Sequence, residues 1–116
     1  EEVRRRMEMN DIKNPAIMID VSHDNCLING KKDTSRQPDI IGDILESLES
    51  RPALRQLVKG FMIESFIKEG SQKVDDNKPE AIDLGGLSIT DACISWERTE
   101  EILLQLAKNY KGIAHG

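Results

Sequence analysis

The sequence predicts an α/β chain built from parallel-strand units, and three observations predict it. Two short runs, 16–22 (AIMIDVS) and 60–65 (GFMIES), are apolar almost throughout. Such runs suit parallel strands covered on both faces. Between them lies a segment whose apolar residues recur at helical spacing, and further helical segments stand at either end of the chain. Strands that alternate with amphipathic helices make βαβ units.

The first ten residues, EEVRRRMEMN, read as a helix. Glu1 with Arg5 and Glu2 with Arg6 are favourable i,i+4 pairs, and Val3 and Met7 share a face. The KNP at 13–15 is expected to stop this helix, because a residue before proline avoids the α region. The first strand follows at 16–22. Asn29-Gly30 then marks a turn in a polar loop that runs to Pro38. From 38 to 50, Ile40, Ile41, Ile44, Leu45 and Leu48 form one helical stripe, with Pro38 where a first turn tolerates it. RPALRQLV at 51–58 reads as a short helical turn, and 60–65 as the second strand. Residues 66–90, rich in Gly, Lys, Asp and Asn, form a long loop, a class that is usually functional when ordered. The last helix is expected over 99–111, with Thr99 as N-cap, Glu100 and Glu101 at its start, Lys108 and Lys111 at its end, and Gly112 beyond.

Bulk properties narrow the function classes. The 116 residues make one small domain. Only 3% are aromatic, so Leu, Ile, Val and Met must build the core. The net charge of −5 and the absence of a dense basic patch argue against nucleic acid as partner. No run approaches the roughly 18 apolar residues of a membrane span, and the charged N-terminus lacks a signal peptide's apolar region, so no membrane role is expected. Two cysteines, Cys26 and Cys93, are too few for a disulfide framework, and a reduced, cytoplasmic setting fits them as buried or bystander thiols. The first residue is Glu, which suggests a processed chain or a piece of a longer one.

Three residues carry chemistry by position. His23 follows the first strand, Glu64 ends the second, and Asp91 closes the long loop before the last helix. The carboxyl ends of parallel strands lie on one side of a sheet, where sites form. Imidazole with two carboxylates suits a divalent metal ion such as Mn, Fe, Co or Zn. Spacing alone leaves the plainer alternatives open: a hydrogen-bonded loop histidine and a glutamate paired with a basic residue. DLGGLS at 83–88 could seat a phosphate but reads first as a turn. Ser22-His23-Asp24 cannot form a catalytic triad, since adjacent residues lack the geometry. Trp96 reads as a packing residue at the base of the last helix.

The stretches MIDVSHDN (18–25), GFMIESFIKEGSQ (60–72) and LSITDACISWERTEEILLQLA (87–107) resemble the C-terminal part of the class I 3-deoxy-D-arabino-heptulosonate 7-phosphate (DAHP) synthases. The resemblance spans nearly the whole chain, and S-I-T-D-A-C-I-x-W is its most specific motif. It implies a (β/α)8 TIM barrel, of which this chain would be about the last two βα units. It implies condensation of phosphoenolpyruvate with erythrose 4-phosphate to DAHP and phosphate, the first step of the shikimate pathway. It implies a divalent metal ion held by a Cys, a His, a Glu and an Asp. The D-x-S-H histidine falls on His23, the V/I-E-S glutamate on Glu64 and the T-D-A-C aspartate on Asp91. No residue of this chain is assigned a proton-transfer role.

Departures from the family matter too. A complete barrel needs about 250 residues. Cys26 and Cys93 do not align with the ligand cysteine, and Cys26 stands where the family usually has Ser. The groups that grip phosphoenolpyruvate belong to motifs this sequence does not contain. The chain is therefore expected to be inactive alone and to associate with itself. The alternatives are a non-catalytic, self-associating α/β fragment and a small metal-binding module.

Overall fold

The computed structural model describes residues 1–109. The elements run α1 (Glu2–Met9), β1 (Ile17–Asp20), β2 (Leu27–Ile28), β3 (Lys31–Lys32), α2 (Gln37–Glu49), α3 (Pro52–Leu57), β4 (Val58–Met62) and α4 (Trp96–Asn109). They fall into two compact units, residues 1–63 and the remainder from Glu64.

The first unit is a βαβ arrangement. β1 and β4 pair in parallel, with Ile17 opposite Val58, Met18 opposite Gly60, Ile19 opposite Phe61 and Asp20 opposite Met62. The crossover is α2 followed by α3. α2 turns Ile41 and Leu48 inward and leaves Asp39, Asp43, Glu46 and Glu49 towards solvent, as the stripe predicts. Val21, Cys26 and Val58 join them in the core, and Gln37 is fully buried in the same unit.

Several expectations are corrected in this unit. α1 fills nearly all of the expected 1–10, but it stops before KNP is reached: Asn10 caps it, and Asp11 takes a left-handed φ of 50°. The Glu2–Arg6 pair forms at 2.8 Å, but Glu1 reaches Arg4 at 3.2 Å and not Arg5. The polar loop contains a small hairpin, β2–β3, closed by Asn29 (φ 50°) and Gly30 (φ 76°). Positive φ at both central residues is what a two-residue type I′ hairpin turn requires, and Asn-Gly supplies it at little cost. β4 begins two residues earlier than the apolar run suggested, because pairing with β1 sets its bounds. Neither strand is covered on both faces: Met18 is 64% exposed and Met62 46%. Met18 lies over Gly60, where an added Cβ would come within 3.0 Å of its sulfur.

The second unit packs α4 against an irregular loop. Single bridges join Ser65 to Ile94, Gly70 to Cys93 and Ser71 to Ser88. Among the described residues, Ile94, Cys93 and Ile102 are its buried apolar residues. The side chain of Gln72 ties the loop together: its Nε2 donates to the carbonyls of Asp83 (2.8 Å) and Leu87 (3.0 Å), and its Oε1 accepts the Asp83 N–H at 2.8 Å.

α4 starts three residues before the expected 99. Ser95 caps it, its hydroxyl accepting the Arg98 N–H at 3.2 Å. Thr99 is instead a buried helical residue that donates to the Ser95 carbonyl and meets the Ser65 hydroxyl at 2.5 Å. Trp96, read as a packing residue, is 55% exposed and so packs only in part among the described residues. The expected helix end at Lys111 and Gly112 lies outside the described residues.

Candidate metal centre

His23 lies in the first unit, at the start of a 3-10 turn over His23–Cys26 that follows β1. Its φ of 48° is left-handed, a region that non-glycine residues occupy at a cost and commonly near functional sites. The turn is held by several bonds. Asn25 donates its backbone N–H to the Ser22 carbonyl at 3.0 Å and its side-chain amide to the Asp20 carbonyl at 2.6 Å. The Cys26 thiol donates to the Val21 carbonyl at 2.9 Å. The Asp20 carboxylate accepts the Ser22 N–H at 2.8 Å and meets the His23 Nδ1 at 2.7 Å. Burial raises the pKa of Asp20, but the Ser22 N–H and the His23 ring outweigh it, and the net shift is downward. Among the described residues, Asp20 is an acidic partner of His23, three residues before it in the chain.

Glu64 and Asp91 belong to the second unit, where each offers a carboxylate oxygen and those oxygens lie within 4.8 Å of each other. Two segments bring them together. The Glu64 carbonyl accepts the Ile94 N–H at 3.0 Å, and the Phe66 N–H donates to the Ile94 carbonyl at 3.0 Å. Cys93 exchanges backbone bonds with Gly70 in both directions, at 2.8 and 3.1 Å. These bonds fix the TDACI segment alongside the segment that carries Glu64. Glu64 is half-buried and Asp91 exposed. Two carboxylates this close repel each other in the absence of a cation, and a cation between them removes the repulsion. The donor chemistry thus fits a divalent ion.

Cys93, expected to be a buried or bystander thiol, is buried and stands beside both carboxylates. Its Sγ lies 3.8 Å from Glu64 Oε2 and 3.5 Å from the Asp91 carbonyl oxygen. Burial pushes its pKa up, and the acidic neighbours add to the rise. Glu64, Ser65, Phe66, Ser88, Thr90 and Cys93 border an open, mainly apolar cavity of about 450 Å³ in this unit. The DLGGLS segment is a turn: the Asp83 carboxylate accepts the Gly85 N–H at 2.7 Å and pairs with Lys68 at 2.6 Å.

A sequence model of the DAHP synthetase I family matches residues 1–104. The chain belongs to the DAHP synthetase I family. It is 41% identical over 92 residues to the Trp-sensitive phospho-2-dehydro-3-deoxyheptonate aldolase of Enterobacter agglomerans, a match covering 79% of this chain and 24% of that one. It is 40% identical over 106 residues to a phospho-2-dehydro-3-deoxyheptonate aldolase of Alternaria alternata, covering 91% of this chain and 26% of the relative. A solved phospho-2-dehydro-3-deoxyheptonate aldolase from Francisella tularensis SCHU S4 superposes with a TM-score of 0.71 at 32% identity, over 90% of this chain and 27% of that one. The chain thus spans about a quarter of the length of these relatives. Family membership agrees with the resemblance drawn from the three motifs, and the α/β class agrees with the parallel strands.

Proposed function

We propose that this chain is the metal-ligating part of a 3-deoxy-7-phosphoheptulonate synthase, a transferase that condenses phosphoenolpyruvate with erythrose 4-phosphate in the shikimate pathway of aromatic amino acid biosynthesis. In this reading it corresponds to the last two βα units of a (β/α)8 barrel. His23, Glu64 and Asp91 together hold one divalent ion: Mn, Fe, Co or Zn.

The observation that carries the reading is the parallel register of β1 and β4. Their pairing continues one residue further, where the Val21 N–H donates to the Met62 carbonyl at 3.1 Å. His23 is two residues beyond Val21 and Glu64 two beyond Met62. Consecutive Cα atoms are about 3.8 Å apart, so both residues leave the same, carboxyl end of the pair within two steps. That end is where sites form in parallel α/β folds. Asp91 joins through its closeness to Glu64. The chemistry such an ion supplies when bound is Lewis-acid polarisation of a substrate oxygen. The chain's own residues hold that ion, with His23 as the nitrogen donor and the two carboxylates balancing its charge.

Two sequence features bear on the setting. Both cysteines are free thiols, which supports a reduced, cytoplasmic compartment. No described helix is long and apolar enough to cross a membrane. The test is product formation by the natural gene product from phosphoenolpyruvate, erythrose 4-phosphate and Mn²⁺. Activity that disappears with Glu64→Ala or Asp91→Ala is expected; activity indifferent to both would overturn the reading.

A second reading concerns association. Each strand of the β1–β4 pair has one partner strand among the described residues. The outer strand edges, together with exposed Met18 and Met62, favour homo-oligomers, because unpaired strand edges recruit other strands. Light scattering across a concentration series tests this; a strict monomer at high concentration contradicts it.

A further inference from the structure

Asp20, at the last position of β1, is engaged through both carboxylate oxygens. Oδ1 accepts the Ser22 N–H at 2.8 Å, and Oδ2 lies 2.7 Å from His23 Nδ1. We propose that Asp20 is the positioning residue for His23, committing the ring proton to Nδ1 and turning Nε2 toward the cation. The inference rests on the metal reading above and names a residue outside the ligand set.

The argument is one of donors and acceptors. An ionised carboxylate has no proton to give, so a 2.7 Å contact with imidazole requires the proton on Nδ1. In neutral imidazole the lone pair then sits on Nε2, the form that ligates a metal. Asp20 is itself held. Its backbone pairs opposite Met62, the Ser22 N–H fixes its other oxygen, and the Asn25 amide binds its carbonyl. His23 needs such support, since its left-handed backbone sets only where the ring starts, not which nitrogen it presents. Metal-ligating histidines generally give their second N–H to a carboxylate or carbonyl, and losing that partner costs about 10- to 100-fold in metal affinity.

The two histidines of the chain make the test direct. In the ¹⁵N-labelled, metal-free chain, at a pH where imidazole is neutral, the ring nitrogens report the tautomer. The His115→Gln variant assigns the second signal. The expected result is an Nδ1–H tautomer for His23; an Nε2–H tautomer in the wild-type chain overturns the proposal without any variant. Asp20→Asn sharpens it. If the amide oxygen stays on the Ser22 N–H, the amide NH₂ faces Nδ1 and donates, which drives the proton to Nε2. The tautomer should therefore invert, and Mn²⁺ affinity measured by electron paramagnetic resonance should fall about 10- to 100-fold. A wild-type tautomer in Asp20→Asn, or Mn²⁺ affinity within about twofold of wild type, overturns the positioning role and leaves the metal reading standing. Failure of the wild-type chain to bind Mn²⁺ overturns the metal reading, and with it the purpose assigned to Asp20. The tautomer would then still report whether Asp20 sets the ring.

Discussion

Replacing Gly86 with alanine should loosen the second unit by a predictable amount. Gly86 is buried and has a φ of +105°. A Cβ there would lie 2.5 Å from the Ile67 Cβ and within 3.0 Å of its Cδ1 and Cγ2. The Ile67 Cβ cannot swing away by a change of rotamer, since it is fixed to the backbone. The Gly86 side of the contact is pinned as well, because its carbonyl accepts the Lys68 N–H at 2.9 Å. Two costs follow. Holding alanine at this φ costs about 1–3 kcal/mol. Relieving the overlap costs about 1–3 kcal/mol more. Gly86→Ala should therefore weaken local stability by about 2–6 kcal/mol. The assay is native-state hydrogen exchange at the Lys68, Gly70 and Cys93 amides, all bonded within this unit. It reads local opening without assuming that the two units unfold as one. The two costs separate in a double-mutant cycle. In an Ile67→Gly background the overlap is gone and only the backbone cost remains, so the coupling should be about 1–3 kcal/mol. Unchanged protection in Gly86→Ala, or an equal loss in both backgrounds, would refute the reasoning.

Other outcomes follow from the same structure. The Asp83 pKa is lowered by its bond to Lys68 and then by the Gly85 N–H. A carboxylate lowered on folding stabilises the fold above its unfolded value, near 3.9, and that contribution is lost as pH falls through the lower folded value. The Gly85 amide shift should therefore titrate below the ordinary carboxylate range, and Asp83→Asn should abolish the titration; a midpoint at or above the ordinary value contradicts the assignment. Burial raises the pKa of both Cys26 and Cys93, so both thiols should alkylate slowly in the native chain at pH 8 and fast in denaturant; fast native labelling would show that one is accessible. Gly30→Val should cost about 1–2 kcal/mol through its positive φ, seen as increased exchange across the β2–β3 hairpin; an unaffected hairpin counts against the turn.

The βαβ core was legible in the sequence because it depends on patterns that survive projection onto one dimension. Ile41 and Leu48 recur at helical spacing, Pro38 marks a first turn, and each of the two apolar runs has at least one side to bury. What was not legible depends on partners distant in sequence or on backbone angles. β4 starts at Val58 because Ile17 pairs there, which no property of Val58 announces. Ser95 outcompetes Thr99 as cap because Thr99 is needed at the Ser65 hydroxyl, 34 residues away. The hairpin escaped because its strands are two residues long and exposed, too short to show alternation. At the candidate site, the donor types of His23, Glu64 and Asp91 could be read from position and motif. The Asp20 contact could not, since it needs the left-handed turn at His23 to bring residues three apart into line.

The central claim is that His23, Glu64 and Asp91 are ligands of one divalent ion. The most direct measurement is a Mn²⁺ titration of the 116-residue chain, followed by electron paramagnetic resonance, beside His23→Ala, Glu64→Ala and Asp91→Ala. The account predicts one ion per wild-type chain and an affinity at least about 10-fold weaker in each variant. Wild-type affinity in all three variants would contradict it.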